Sequence, residues 1–113
     1  AAEKKTSKNT KFQINLAINY GSKSEIINAL KKVQKKNEKL TENNFIKHLQ
    51  TYNIPDPDLL IRTGGFQRLS NFIILNLSYT ELFFTNTLWP DLKNNELNNI
   101  LDKYKKTKRN YGL

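Results

Sequence analysis

The residues best suited to chemistry lie between Leu59 and Glu81 of this 113-residue chain. The stretch reads L-L-I-R-T-G-G-F-Q-R-L-S-N-F, then I-I-L-N-L-S-Y-T-E. Arg62 closes a short apolar run, Arg68 follows six residues later, and Ser70 adds a hydroxyl. Arginine offers a planar, bidentate donor fork that suits phosphate or carboxylate, and lysine cannot copy it. Gly64-Gly65 lets the backbone turn sharply and expose N–H groups toward an anion. Two guanidinium groups, a hydroxyl and loop amides make a diphosphate cradle, each charge-assisted contact contributing about 1.5–3 kcal/mol. The plain alternative is two surface arginines flanking a turn. Neither G-x-x-x-x-G-K-[ST] nor G-x-G-x-x-G occurs, so this is not a Walker or dinucleotide loop.

The elements that must position these residues follow from periodicity. Ala1–Thr10 is a polar, basic lead-in. Phe12–Ile18 alternates, with Phe12, Ile14, Leu16 and Ile18 on one face, which predicts a strand ended by Asn19-Tyr20-Gly21. Ser22 and Glu25 have capping-box spacing, and Ile26, Leu30 and Val33 form a stripe, so a helix runs to about Asn37. Thr41 caps a shorter helix with Phe45, Leu49 and Tyr52 inward, stopped by Pro55 and Pro57. Leu59-Leu60-Ile61 reads as a strand buried on both faces. It delivers Arg62 to its C-terminal end, where open α/β sheets bind ligands. Phe72–Leu77 is apolar and fits strand or helix. Leu82-Phe83-Phe84 predicts a strand. After a break at Pro90-Asp91, Leu97, Ile100, Leu101 and Tyr104 predict a C-terminal amphipathic helix. The order argues an α/β fold, part of a mostly parallel sheet flanked by helices.

Composition bounds the rest. There are 19 Lys+Arg against 10 Asp+Glu, a formal +9 at pH 7, but only three of those cations are Arg: Arg62, Arg68 and Arg109. With 16 Lys and 16 Asn, much of the charge reads as solvated surface, including the Lys31–Lys36 and Lys103–Arg109 clusters. A pull toward anionic lipid headgroups would contribute about 1 kcal/mol per cation near the surface. There is no Cys, which excludes disulfides and thiolate chemistry, and the single His48 excludes a multi-His metal site. His48 reads as exposed or locally bonded. Asp56 and Asp58, on either side of Pro57 and just after Pro55, read as loop residues rather than a metal pair. Tyr20 and Trp89 read as packing residues, Trp89 with an option on a dimer contact. No apolar run nears the ~20 residues a bilayer requires, and Ala1–Lys11 has no signal-peptide core. The start at Ala1 suggests a processed product or a fragment.

In combination these motifs resemble a specific family. R-T-G-G-F-Q-R-L-S-N-F, Y-T-E-L-F-F-T and L-W-P-D, preceded in order by I-N-L-A-I-N-Y-G and I-P-D-P-D-L-L-I-R-T, are similar to the C-terminal half of the cis-prenyltransferases, the undecaprenyl diphosphate synthase family. The resemblance covers essentially all of 1–113, taken as the C-terminal portion of one domain whose N-terminal half is absent. It implies condensation of isopentenyl diphosphate onto an allylic diphosphate such as farnesyl diphosphate, giving a long-chain cell-wall lipid carrier. By position, it implies that Arg62, Arg68, Leu69 and Ser70 bind the diphosphate of isopentenyl diphosphate and that Glu81 helps hold Mg²⁺. The family's other half carries a strand-end Asp in an H-x-x-M-D-G-N-G-R-W-like segment, and nothing like it occurs here. No catalytic residue is therefore expected in this half, and the chain alone is expected to be inactive. A homodimer, a cytoplasmic setting and at most peripheral membrane contact also follow from the resemblance. Departures are Phe66 in place of an acidic residue, Gly21-Ser22-Lys23 for G-G-R, Leu75-Asn76 for W-Q, and Asn110 where an R-x-G ending has Arg, with Arg109 one place out of register. Phe66 and Asn110 support the alternative of a non-catalytic partner subunit. A basic nucleic-acid-binding module is disfavoured, because no spaced aromatic–basic platform is present.

Overall fold

The computed structural model describes residues 2–108. Arg109 and Asn110, with the rest of the K-R-N-Y-G-L ending, lie outside the described residues. A short helix α1 (Ala2–Thr6) opens the chain and buries nothing, a turn of helix where only a polar lead-in was expected. Helix α2 (Ser22–Lys35) and the short α3 (Glu42–Ile46) follow. Strand β1 (Leu59–Arg62) pairs in parallel with β2 (Glu81–Phe84), in the register Leu59↔Glu81 to Arg62↔Phe84. Helix α4 (Asn94–Lys106) completes the order. The α/β class and the parallel pairing are as the sequence predicts.

The main departure is Phe12–Ile18. The segment is not a strand: its four apolar side chains are 71–82% exposed. A strand exists through its backbone partners, and the only sheet among the described residues is β1–β2. Alternation alone therefore leaves an apolar ribbon. The same openness shows in a radius of gyration of 17.0 Å, against about 13 Å for a compact domain of this length. Strand β1, predicted to be buried on both faces, is half-buried along its length for the same reason. Phe72–Leu77 resolves as a single 3₁₀ turn, Ile74–Leu77.

Within α2 the expected capping box does not form. Gly21 is the N-cap and provides no side-chain bond, while Ser22 and Glu25 are buried inside the helix. Their polar atoms face distant partners. Ser22 Oγ accepts from Ile74 N–H at 2.8 Å. Glu25 accepts from Thr51 N–H at 3.0 Å, from Thr51 Oγ1 at 3.2 Å and from the Tyr20 hydroxyl. The buried stripe is consequently Ser22, Glu25, Ala29 and Val33, and Leu30 lies toward solvent. Thr41 does cap α3, accepting from Asn44 N–H at 3.2 Å, and Leu49 is buried, but Tyr52 is exposed. Helix α4 buries Ile100, with Leu97, Leu101 and Tyr104 half-buried beside it, as the spacing predicts. His48 is tied at 2.8 Å to Glu38, closing the α2–α3 connection.

Tyr20 is both packed and bonded: its ring meets Phe72 edge-on at 5.9 Å and its hydroxyl serves Ser22 and Glu25. Burial first, and the hydrogen bond to Glu25 second, raise its phenol above the ordinary value near 10.0. A raised acid holds its proton longer in the folded state, so stability falls as pH rises above about 10. Tyr20→Phe is expected to flatten that alkaline loss in denaturation curves between pH 9 and pH 11. An unchanged slope would show that Tyr20 does not contribute it.

Candidate functional site

The C-terminal end of β1 is where the predicted residues converge. Arg62, last in the strand, turns its guanidinium back over the following loop. Its Nη1 donates to Ser70 Oγ at 2.8 Å and to the Arg68 carbonyl. Arg68 lays its own guanidinium over the Phe66 ring, 4.1 Å from the centroid, a cation–π contact. Arg62, Thr63, Arg68, Leu69, Ser70 and Phe72 line a hollow of about 290 Å³. So Arg62, Arg68, Leu69 and Ser70 line the same hollow. Phe66, the residue out of pattern, becomes the platform that orients one of its cations.

The glycine pair serves a different purpose from the one expected. Gly64 (φ 89°) and Gly65 (φ 80°) adopt left-handed backbone, but their N–H groups donate to the Thr87 and Thr85 carbonyls at 2.9 Å each. Those amides are spent on the chain after β2 and do not face an anion. The loop is instead braced from α4, where Glu96 accepts from Thr87 Oγ1 at 2.9 Å and from Thr85 Oγ1. No sequence spacing signals this brace, because its three residues come together only when α4 packs.

Glu81 does not join the cradle. It begins β2 beside Leu59, whereas Arg62 stands opposite Phe84. Three residues of strand separate the two by about 10 Å. Among the described residues, no group of three or more His, Cys, Asp or Glu could hold a metal ion. Asp56 accepts from Asn76 Nδ2 at 2.7 Å, and the Asp58 carbonyl accepts from Glu81 N–H at 3.1 Å. That bears out the loop reading of the D-x-D pair. Trp89, expected to pack, is 74% exposed on a 3₁₀ turn (Trp89–Asp91).

The loop also carries strain. Ser70 (φ 49°), Asn71 (φ 62°) and Ile73 (φ 35°) are all left-handed without being glycine. Such residues cost about 1–3 kcal/mol each and persist only where their surroundings hold them. The only sequence signal for Asn71 is its residue type, since Asn is among the side chains that best tolerate this backbone.

Two arginines and a serine hydroxyl thus line one hollow. The chain is similar to known proteins along nearly its whole length. The family model described as "Putative undecaprenyl diphosphate synthase" matches residues 1–112. The isoprenyl transferase of Oceanobacillus iheyensis is 46% identical over 98% of this chain and 47% of its own length. That of Aquifex aeolicus is 47% identical over 88% of this chain and 43% of its own length. A crystal structure of "a probable undecaprenyl diphosphate synthase" from Campylobacter jejuni superposes with a TM-score of 0.85 at 38% identity, over 98% of this chain and 52% of that one. Lavandulyl diphosphate synthase from Lavandula x intermedia, in complex with dimethylallyl diphosphate, gives 0.89 at 37% identity, over 99% and 51%. The chain thus spans about half the length of the curated relatives it matches.

Proposed function

Because the chain belongs to the undecaprenyl diphosphate synthase family of isoprenyl transferases, we propose that it supplies the isopentenyl diphosphate-binding half of a cis-prenyltransferase site. The observation carrying this is the convergence of Arg62, Arg68 and Ser70 around one hollow at the C-terminal end of β1. Arg62 spends one nitrogen on the loop and keeps the rest of its fork for the ligand. Arg68, held on Phe66, presents a second cation without having to be ordered on binding. Fixed charge at the diphosphate holds the substrate's double bond in place for attack on the allylic carbon of a partner such as farnesyl diphosphate. Leu69, a half-buried lining residue, offers an apolar wall.

Mg²⁺ belongs to this proposal only as an ion to which Glu81 would offer one carboxylate oxygen. Mg²⁺ takes near-octahedral oxygen ligands, and the described residues do not assemble them, so no step here runs through the ion. A homodimer and a cytoplasmic enzyme with peripheral membrane contact complete the reading. Exposed Leu88 and Trp89 and the net +9 support the surface contacts. No described helix is long and apolar enough to cross a membrane.

The test is calorimetry with isopentenyl diphosphate on the purified chain. Saturable binding is expected, weakened about 10- to 100-fold by Arg68→Ala, the equivalent of one charged contact. With Mg²⁺ and both diphosphates the same chain is expected to elongate nothing; product formation by it would sink the half-site assignment.

A further inference from the structure

The first turn of α2 is capped from a distance. Asn71 receives both of its leading amides: Ser22 N–H donates to the Asn71 carbonyl at 2.8 Å, and Lys23 N–H to Asn71 Oδ1 at 3.0 Å, across 48 residues of chain. The return contact is Ile74 N–H to Ser22 Oγ at 2.8 Å. Asn71 approaches so closely that a Cβ on Gly21 would stand 2.7 Å from its Nδ2, so a larger N-cap residue would have to push the Asn71 amide aside. The residue before Asn71 is Ser70, whose left-handed backbone puts its hydroxyl on Arg62. Three successive links therefore run from α2 through Asn71 and Ser70 to the Arg62 guanidinium.

We propose that Asn71 is a positioning residue for the diphosphate cradle: by capping α2 remotely it fixes Ser70 in the backbone conformation that seats the Ser70 hydroxyl on Arg62. The inference rests on the isopentenyl diphosphate reading of that cradle. Asn71 acts through its neighbour and does not touch ligand. The first two amides of α2, those of Ser22 and Lys23, are filled by Asn71, so this helix end clamps the loop.

The experiment is a double-mutant cycle on the full chain, using Asn71→Gly, Ser70→Ala and the pair. Glycine keeps the left-handed backbone and the main-chain carbonyl and removes only the Oδ1 acceptor of Lys23 N–H. Calorimetry with isopentenyl diphosphate is expected to show about fivefold to tenfold weaker binding for each single variant. The pair should lose little more than Ser70→Ala alone, because both changes break one chain of contacts. Losses that multiply, or wild-type affinity in Asn71→Gly, would overturn the proposal while leaving the diphosphate reading intact. Absence of binding by the wild-type chain would overturn that reading and this proposal with it. Should Asn71→Gly fail to fold, Asn71→Asp carries the test, since Asp caps helices and tolerates left-handed backbone. At physiological ionic strength, which screens its added charge, it must bind within about threefold of wild type and keep the Lys23 amide protected from exchange. A larger loss in either overturns the assignment.

Discussion

Arg62→Ala is expected to weaken isopentenyl diphosphate binding about 100- to 1,000-fold, more than any other single change in the loop. One part of the loss is the guanidinium–diphosphate contact, about 1.5–3 kcal/mol. The other is structural, because the same side chain bonds Ser70 Oγ and the Arg68 carbonyl. Without it the loop relaxes, and both remaining ligand groups leave their places. Arg62→Lys separates the two parts: it keeps the charge but cannot bridge the loop and fork onto a diphosphate together. It should recover only a fraction of the affinity. Arg68→Ala, which unties nothing else, should cost less than Arg62→Ala. Equal losses for the two, read by calorimetry, would count against Arg62 as the organiser of the site.

The second large effect is on stability. Glu25 is 3% exposed, and its two oxygens satisfy the Thr51 amide, the Thr51 hydroxyl and the Tyr20 hydroxyl. Glu25→Ala orphans the Thr51 amide and hydroxyl around a small cavity and leaves the Tyr20 hydroxyl with Ser22 alone, a loss of about 3–5 kcal/mol. Against a total stability of about 5–15 kcal/mol for an ordinary domain, that is severe. A fall in Tm on the order of 15–30 °C is expected by calorimetric melting. Glu25→Gln keeps an acceptor for Thr51 and offers its amide to the Tyr20 oxygen, so it should cost far less. A Glu25→Ala chain melting within a few degrees of wild type would remove Glu25 from the core's hydrogen-bond accounting.

What the sequence made legible divides by range. The convergence of Arg62, Arg68 and Ser70 on one hollow is readable because the loop that joins them is itself short. The helical spacing of Leu97, Ile100, Leu101 and Tyr104 is readable for the same reason. The capping-box spacing of Ser22 and Glu25 misled, because long-range partners (Ile74, Thr51 and Tyr20) outbid the local amides. Phe12–Ile18 misled differently. Its pattern records a face meant for burial, and pattern alone cannot supply the partner that buries it. The Gly64-Gly65 pair was correctly read as a sharp turn, but the direction of its amides depends on Thr85 and Thr87, which reach the loop only through the β1–β2 pairing. The distance of Glu81 from Arg62 is likewise set by the parallel register and by no local spacing.

The cap on α2 has a kinetic consequence. A helix normally finishes its first turn with a neighbour's side chain, on the sub-microsecond timescale of helix formation. Here the acceptor for Lys23 N–H lies 48 residues away, so the turn cannot close until that length of chain has looped back, an entropy cost that grows as the logarithm of the loop. Helix α2 therefore begins as a frayed local element and matures only with the tertiary contacts. Its N-terminal amides should be among the last to gain protection during refolding, in step with the Ser70–Asn71 segment rather than with the rest of their own helix.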